Sequence, residues 1–421
     1  MNIEEYLSKF SKVTENPTLE AMEWLMNEFD NPHKKTKFIH IAGTNGKGSI
    51  CEMMSNILQN AGYRVGKFIS PHLIRFNDTI LVNGEEITDD EVEEILDELS
   101  KKIDIYNSTH KTPVKWFEVI TSLALIYFAK KQCDIVVLET GLGGRTDCTN
   151  IVNSIISIIA NIGYDHTDIL GNTIEEIATH KAGIIKQNSD TVMVQQILAT
   201  LIIQKECIEK DANLHIINEE DVTNYNFNED YQIFDYDEYS GIEVSLKGKV
   251  QIYNAAICIE CAKILNEKGY SIGEEAIRNG LKIVVHKARF ETINKDPLVI
   301  FDGGHNENAI KNLVSTLNQY YSKKDKVFVI SILKTKDYKT IIENLLKQDG
   351  VFVFTSGNDK NRYVSKEELL EVAKKYKTQD IFAYELEDAI NKSLADYKDK
   401  LICIIGSFYV YADVKKIFEN K

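Results

Sequence analysis

Short runs of apolar residues alternate with stretches of helical periodicity along most of the chain. The runs FIHIAG (38–43), DIVVLETG (134–141) and IISIIANIG (155–163) are apolar almost throughout, which is typical of parallel strands that are buried on both faces. Residues 49–61 carry apolar side chains at helical spacing, and Thr173-x-x-Glu176 predicts a capping box that opens another helix. This alternation predicts an α/β protein with largely parallel sheets.

The pattern changes twice after residue 187. It is less regular between about 187 and 250, where the acidic and aromatic stretch NEDYQIFDYDEYSG predicts exposed hairpins. The strand–helix alternation restarts after HKARFE (286–291) with the apolar runs PLVIFDGG, KVFVISIL, GVFVFTSG and KLICIIGS. Because the 421 residues exceed the usual size of a single core, we expect two domains, residues 1–287 and 288–421.

Composition and charge exclude several classes of protein. No apolar run approaches the roughly 18 residues that span a bilayer, and the polar, acidic N-terminus is unlike a signal or transit peptide. We therefore expect a cytoplasmic protein without a membrane partner. The net charge of −15 argues against nucleic acid as a partner, because binding to phosphate backbones needs a basic surface. The seven cysteines are scattered, as in a reducing compartment, and Cys258 and Cys261 predict buried thiols of a helix and not a zinc site.

The segment AGTNGKGS (42–49) lies directly between the first predicted strand and the helix after it. Such a turn directs backbone N–H groups and the helix dipole at phosphates, and Lys47 would reach the outer phosphates. The spelling departs from the common P-loop, because Ile41 replaces the first glycine and Gly48 separates Lys47 from Ser49. An ordinary glycine-rich turn is the alternative. The predicted phosphate-binding residues are Thr44, Asn45, Gly46, Lys47, Gly48 and Ser49.

Three further strands are predicted to end in a polar side chain. Glu139 closes an apolar strand, where a carboxylate faces the ligand crevice of an α/β sheet and could hold Mg²⁺; a plain helix cap is the alternative. His166 follows the next strand, so we expect the phosphate loop, this carboxylate and this imidazole to converge at one sheet edge, although a lone histidine is often structural. Asp302, in the second half, is placed to accept hydrogen bonds from a ribose, and a turn-forming role of Asp-Gly-Gly is its alternative.

Together these segments resemble the Mur ligase superfamily, and within it the folylpolyglutamate synthase/dihydrofolate synthase branch. The Gly-Lys-Gly-Ser spelling is that family's own version of the phosphate loop. The matching segments follow the family order from residue 40 to residue 411 and are HIAGTNGKGS, SPHLIRFND, FEVITSLALIYF, VVLETGLGGRTDCTN, NIGYDHTDILGNTIEEIATHKAGIIK, FDGGHNENA and GSFYVY. The resemblance implies an N-terminal P-loop ATPase-like domain with a mostly parallel sheet, a C-terminal Rossmann-like α/β domain, and ATP between them.

The resemblance also implies roles for single residues. Ser70, Glu139 and His166 would surround two Mg²⁺ ions, and Lys181 matches a lysine that is carbamylated in the family. His305 matches the Asp-Gly-Ala-His-Asn motif near the active cleft. The residues implied to hold the nucleotide from the second domain are Asn254, Arg289 and Asp302. The implied catalytic residues are Lys47, Lys181, His166 and His305.

The implied activity is an ATP-dependent ligase that adds L-glutamate to a folate or to dihydropteroate. ATP would phosphorylate a substrate carboxylate, and the amine of glutamate would then displace phosphate from the acyl phosphate. Whether the acceptor is dihydropteroate, an existing glutamate tail or both stays open, and the resemblance favours a monomer.

Two other functions and two departures from the family pattern bear on this interpretation. A peptidoglycan Mur ligase is disfavoured, because only about 40 residues precede the phosphate loop, too few for an additional domain. A non-catalytic ATP-binding homologue, or a P-loop protein that uses ATP as a switch, is disfavoured because the implied metal ligands are all present.

Val250 stands where the family often has His before Gln, and His286-Lys287-Ala288-Arg289 replaces Trp-Pro-Gly-Arg, which leaves hinge packing and substrate approach open.

Overall fold

The computed structural model describes residues 3–11 and 17–419, which form two large sheets and one small sheet. The strands are β1 (Lys37–Ala42), β2 (Val65–Phe68), β3 (Ile80–Val82), β4 (Glu85–Glu86), β5 (Ile135–Glu139), β6 (Ile156–Ile159), β7 (Asp190–Val194), β8 (Asn213–Ile217), β9 (Val222–Phe227), β10 (Gln232–Tyr236), β11 (Tyr239–Val244), β12 (Glu291–Lys295), β13 (Leu298–Asp302), β14 (Lys326–Ile330), β15 (Val351–Phe354), β16 (Ile381–Ala383) and β17 (Leu401–Ile405). The helices are α1 (Ile3–Ser8), α2 (Glu20–Glu28), α3 (Lys47–Asn60), α4 (Asp89–Thr109), α5 (Trp116–Lys130), α6 (Thr167–Leu170), α7 (Ile174–Ala182), α8 (Ile197–Glu209), α9 (Lys249–Glu267), α10 (Glu274–Lys282), α11 (Glu307–Tyr321), α12 (Tyr338–Leu346), α13 (Lys366–Ala373), α14 (Leu386–Asp396) and α15 (Tyr411–Glu419).

The first large sheet has eight strands in the order β4-β3-β2-β5-β1-β6-β7-β8. Its strands from β2 to β8 pair in parallel, and β3 and β4 extend one edge as antiparallel strands. Apolar side chains of α3, α9 and α10 cover one face, and those of α2, α4 and α5 cover the other. Burial on both faces explains why the central strands are apolar almost throughout.

The second large sheet has six strands in the order β12-β13-β17-β14-β15-β16. Five of them are parallel, and β12 pairs with β13 as an antiparallel edge strand. Helices α11, α12 and α13 pack on one face, and α14 and α15 pack on the other. The prediction of an α/β fold with mostly parallel sheets is confirmed. The division at residues 287 and 288 stays a prediction, and the two large sheets lie on either side of it.

The region between about 187 and 250 is more regular than its sequence pattern indicates. β7 and β8, with α8 between them, add two parallel strands to the first sheet. The predicted hairpins exist as the antiparallel strands β9, β10 and β11, but the prediction that they are exposed is wrong for two of these. Phe234 and Tyr236 alternate along β10 and are buried with Tyr239 and Ile242 of β11 against the core, because a period of two directs every second side chain inwards.

The described residues also settle two smaller predictions. All seven cysteines are free, and Cys258 and Cys261 are buried on α9 as expected of helical thiols. Thr173 and Glu176 form the predicted capping box at the start of α7. Among the residues in 3–11 and 17–419, no helix is both long enough and apolar enough to cross a membrane.

Candidate active site

The carboxyl ends of three neighbouring strands lie side by side at one edge of the first sheet. β1 lies between β5 and β6, and Ile41 pairs with both Glu139 and Ile158. The segments that follow these strands therefore meet at the same edge, which is where ligands bind in open α/β sheets. The phosphate loop follows β1, Glu139 closes β5, and the segment with His166 follows β6.

The phosphate loop leads directly into α3, which begins at Lys47. Gly46 precedes the helix with a φ of 92°, a left-handed conformation that glycine adopts without steric cost. The first N–H groups of a helix have no acceptor within it, so this loop offers them, with the positive end of the helix dipole, to an anion. Asn254 of α9 lies beside the loop, with its Oδ1 3.1 Å from where a Cβ on Gly46 would stand. The loop and Asn254, both predicted to hold the nucleotide, are therefore adjacent.

Lys47, Glu139 and Ser70 form one cluster at this edge. Lys47 Nζ donates to the Gly43 carbonyl at 3.1 Å and lies 3.7 Å from Glu139 Oε1. The other carboxylate oxygen of Glu139 accepts the backbone N–H of Ser70 at 3.1 Å. Burial raises the pKa of Glu139, and the charge of Lys47 offsets part of that effect. The structure thus brings together the ammonium of Lys47, the carboxylate of Glu139 and the backbone of Ser70.

Lys181 is a buried lysine on α7, with 3% of its surface exposed. Burial, together with the positive charge of Lys47, lowers the pKa of Lys181 to about 7. A plain surface lysine, the alternative to a functional role, is thereby excluded. Near neutral pH a large fraction of this side chain is a neutral amine, which is the nucleophilic form.

His166 and its neighbour Asp165 occupy the turn between β6 and α6. His166 precedes α6 with a φ of 50°, a left-handed conformation that costs a non-glycine residue about 1 kcal/mol or more. Asp165 Oδ1 accepts the backbone N–H of His166 at 3.0 Å. Partial burial and the nearby charge of Lys336 lower the pKa of His166. The imidazole is therefore neutral near pH 7 and able to act as an acceptor or ligand.

Three side chains of the second half of the chain reach Asp165. Lys336, after β14, donates to Asp165 Oδ1 at 2.6 Å, and Asn306 donates to Oδ2 at 3.1 Å. His305 Nε2 lies 3.7 Å from Oδ2. Burial would raise the pKa of Asp165, but the charge of Lys336 holds it well below its usual range, and His166 and His305 add to this effect only where they are protonated. Asp165 is thus a buried anion that joins the two halves at the site.

Sequence reasoning missed these contacts of Asp165. Lys336 Nζ also donates to His166 Nε2 at 3.2 Å, and Asn306 exchanges amide hydrogen bonds with Asn45 of the phosphate loop at 3.0 and 3.2 Å. Asp165 belongs to the segment Asn-Ile-Gly-Tyr-Asp-His (161–166), and the sequence predicted no role for it. The position of Lys336 just beyond an apolar strand is a signal that could have identified it.

Asp302 and Arg289 lie where the segment between α10 and β12 enters the second sheet. Asp302 accepts backbone N–H groups from Phe290 at 2.9 Å and from Gly304 at 2.8 Å, as in a turn. Burial raises the pKa of Asp302, and the charge of Arg289 offsets part of that effect. The guanidinium of Arg289 stacks 4.3 Å from the ring centroid of Phe408. Asp302 therefore shapes this turn, and it keeps lone pairs for a further donor.

The two departures from the family pattern have different surroundings. Val250 is half-buried in the first turn of α9, next to Gln251, which accepts a hydrogen bond from Asn254 at 3.0 Å. His286 lies against the phosphate loop, with Nδ1 3.1 Å from Ser49 Oγ. The hydroxyl of Ser49, predicted to face phosphates, is engaged by this histidine, and its backbone N–H belongs to the first turn of α3.

Comparison with known proteins shows two domain families and several relatives that match this chain. Residues 41–262 match the Mur ligase middle domain, and residues 288–408 match the Mur ligase glutamate ligase domain. The chain is 35% identical over 417 residues to dihydrofolate synthase/folylpolyglutamate synthase of Bacillus subtilis, covering 95% of this chain and 94% of the relative. It is 30% identical to the Escherichia coli protein of the same name, covering 90% of this chain and 86% of the relative.

Solved structures show the same similarity. Folylpolyglutamate synthase of Mycobacterium tuberculosis, solved with ADP and AMPPCP, superposes with a TM-score of 0.91 at 28% identity, covering 99% of this chain and 97% of the other. The Escherichia coli FolC protein, solved with DHPP and ADP, superposes with a TM-score of 0.85 at 27% identity, covering 99% of this chain and 96% of the other.

Proposed function

Because the chain belongs to the dihydrofolate synthase/folylpolyglutamate synthase family of Mur ligases, and is an ATP-dependent folate–glutamate ligase of that family, we propose that it forms its amide bond through an acyl phosphate. The observation that carries this proposal is the cluster of Lys47, Glu139 and Ser70 beside the phosphate loop. Side chains from the second half complete it through Asp165. A cationic centre of this kind is needed to bring two anions, a carboxylate and a phosphate, together.

The phosphate loop binds the nucleotide in this proposal. Lys47 and the N–H groups of the first turn of α3 contact the phosphates, because they are the donors that the loop offers. Asn254, Arg289 and Asp302 hold the nucleoside from the other side. The adjacency of Asn254 to Gly46 supports that assignment, as does the burial of Asp302 with two backbone donors. The structures of relatives that contain ADP or AMPPCP support a nucleotide here.

Mg²⁺ suits the oxygen donors at Glu139 and Ser70. Among residues 3–11 and 17–419, no group of three His, Cys, Asp or Glu side chains could enclose a metal ion. Mg²⁺ is usually held by only one or two carboxylates plus substrate phosphates, so a single buried carboxylate beside a serine fits it. We propose two ions around Ser70, Glu139 and His166, and the ion at His166 would take the Nε2 lone pair that Lys336 contacts at 3.2 Å. The ions would neutralise charge on the transferring phosphoryl group.

Lys181 is proposed to carry a carbamate. The neutral amine, populated because burial lowers the pKa of Lys181 to about 7, would attack dissolved CO₂. An N–C bond forms, one proton is released, and the side chain becomes an anion. An anion at this position would also relieve the repulsion from Lys47, and it could support a metal ion or the incoming amine.

The reaction then proceeds in two displacements. A carboxylate oxygen of the pteroate or folate attacks the γ-phosphorus of ATP, and ADP leaves. The amine of L-glutamate attacks the acyl carbon, phosphate leaves, and one proton is lost from nitrogen. We assign to His305 the role of hydrogen-bond acceptor for that amine. Its Nδ1 lies 2.9 Å from the Gly303 carbonyl and would donate its proton there, which leaves Nε2 as the acceptor. Burial, with Lys336 nearby, lowers the pKa of His305 to about 3, so the ring is neutral. The contacts of Asp165 hold the two halves together around the acyl phosphate, which must be kept from water.

We further propose that the protein acts as a monomer in the cytoplasm, where its seven free thiols stay reduced. The acceptor is tested by supplying purified protein with ATP, glutamate and either dihydropteroate or tetrahydrofolate, and by identifying the products by mass. A gain of one glutamyl unit on either acceptor supports the proposal and assigns the activity. ATP bound but no acceptor extended would instead indicate a non-catalytic homologue.

A further inference from the structure

The segment between α10 and β12 fastens to the first half of the chain through His286. The imidazole Nδ1 lies 3.1 Å from Ser49 Oγ, and Ser49 is 3% exposed. The ring also abuts Gly48, because a Cβ added there would lie 2.9 Å from Cε1 and 3.0 Å from Nε2. A residue with any side chain at position 48 would collide with this ring. The histidine therefore rests directly on the second and third residues of the helix that opens the phosphate site.

The other end of the same segment fastens to the second half. The carbonyl of Ala288 accepts the backbone N–H of Gly303 at 2.9 Å, and the N–H of Ala288 donates to the Glu291 carboxylate at 2.7 Å. The N–H of Phe290 donates to Asp302. Ala288 and Phe290 have φ values of 59° and 46°, left-handed conformations that cost non-glycine residues about 1 kcal/mol or more each. Contacts on both sides thus hold the segment in a conformation that it would not adopt alone.

The extra glycine of this phosphate loop explains why Ser49 is available to His286. In the common P-loop the hydroxyl residue follows the lysine directly, whereas here Gly48 intervenes and moves the hydroxyl one position along α3. One position on a helix turns a side chain by about 100°. Burial, with Arg289 and Lys67 nearby, holds the pKa of His286 well below its ordinary value, so the hydrogen bond joins a neutral imidazole to a hydroxyl.

We propose that His286 is a positioning residue for nucleotide binding, which holds Gly48 and Ser49 in place for the phosphates of a nucleoside di- or triphosphate. Movement of the second half would pull on Ala288 and, through His286, on the first turn of α3. The inference rests on the proposed function, because it assumes that this loop binds the phosphates. It assigns a role to a side chain that stands where the family commonly has tryptophan.

The test compares two isosteric replacements. Asn places an amide near the position of Nδ1, and Gln places one near that of Nε2, so only His286→Asn can keep the contact with Ser49. The full-length wild type and the variants His286→Asn, His286→Gln and His286→Phe are titrated with ADP by calorimetry, and thermal midpoints verify folding. We expect His286→Asn to bind ADP within about 2-fold of wild type, and the other two to bind about 5-fold more weakly, the loss of one neutral hydrogen bond. Lys287→Ala, on the exposed neighbour, is the matched control and should bind as wild type does.

A second comparison separates positioning from a purely structural role. Ser49→Ala is combined with His286→Phe, and the ADP affinities of the four proteins are measured. If the pair acts through its hydrogen bond, adding His286→Phe to Ser49→Ala weakens ADP binding by less than about 2-fold, because the hydroxyl that the histidine contacts is already removed. The inference alone would be overturned if the fold-changes in ADP affinity of the two single variants simply multiplied in the double variant. It would also be overturned if His286→Asn and His286→Gln bound ADP equally well. Wild-type protein that binds no ADP would overturn the proposed function as well.

Discussion

Replacing Lys336 by Met removes the cation that faces Asp165 across the two halves of the site. The Nζ to Oδ1 distance is 2.6 Å, and the side chains are 7% and 11% exposed. Both groups are therefore largely desolvated, and the remaining neighbours of Asp165 cannot replace a full positive charge. His305 contributes little, since burial and Lys336 lower its pKa to about 3. The variant leaves a buried carboxylate without its main partner.

The magnitude follows from the geometry. With an effective dielectric constant of about 20, two unit charges at this separation attract by about 6 kcal/mol, and the cost of desolvating both offsets a large part of that. Removal of one partner of a buried pair usually costs about 3–5 kcal/mol. Because Asn306 and the backbone of His166 still donate to Asp165, we expect Lys336→Met to lower the free energy of unfolding by about 3 kcal/mol.

Urea denaturation followed by circular dichroism measures this change. The only two tryptophans, Trp24 and Trp116, lie in the first half, so their fluorescence reports that half separately. A cycle with Asp165→Asn should give a coupling of about 2–3 kcal/mol, and the exposed Lys334→Met on the same loop is the control, expected within about 0.5 kcal/mol of wild type. A coupling below about 0.5 kcal/mol would refute the assignment of Lys336 and Asp165 as a joining pair.

Two other features give further predictions. A Cβ on Gly163 would lie 2.2 Å from Nδ2 at the free end of the Asn308 side chain, which can swing aside at little cost. We therefore expect Gly163→Ala to lower glutamate-dependent turnover only slightly and the double variant with Asn308→Ala to match wild type; a large loss that Asn308→Ala does not restore would contradict the steric reason. His215 lies between the carboxylates of Asp190 and Glu260, and its contact with Glu260 is the main cause that raises its pKa. The stabilising effect of the charged imidazole is therefore complete below about pH 6, and it is lost as pH rises through the folded-state pKa. The unfolding free energy lost on His215→Gln should therefore be larger near pH 6 than near pH 9, and an equal loss at both would contradict the linkage.

Residues near one another in sequence were predicted well, because local patterns specify strands, turns and helix starts. The loop around Lys47 and the strand end at Glu139 are readable from apolar runs that stop at polar residues, and parallel strands then bring those ends to one edge. The same rule placed His166. No role could be predicted for its neighbour Asp165, because nothing local in the sequence distinguishes a structural acid from one that binds a distant cation.

Contacts between the halves could not be predicted from the sequence. Lys336 lies 171 positions from Asp165, and a pairing over that distance depends on how the two large sheets meet. His286 illustrates the same limit, because its place in the chain marked a departure from the family pattern, but only the fold shows that it contacts Ser49. The strand β8 was missed because it mixes apolar and polar residues at the sheet edge, where burial is incomplete. Its neighbour β7 is buried, but it is only five residues long and begins with the polar residues Asp190 and Thr191.

The most direct test of the central claim is release of ADP by the purified protein with and without glutamate and a folate acceptor. Wild type should release ADP at a rate that requires both, because the acyl phosphate forms on the acceptor and is consumed by the amine. Lys47→Ala should lower that rate by at least about 100-fold, the usual effect of removing one preorganised group that stabilises developing charge, and the exposed Lys37→Ala should leave it unchanged. ADP release that ignores glutamate, or that survives Lys47→Ala, would contradict the assignment of this site as a ligase centre.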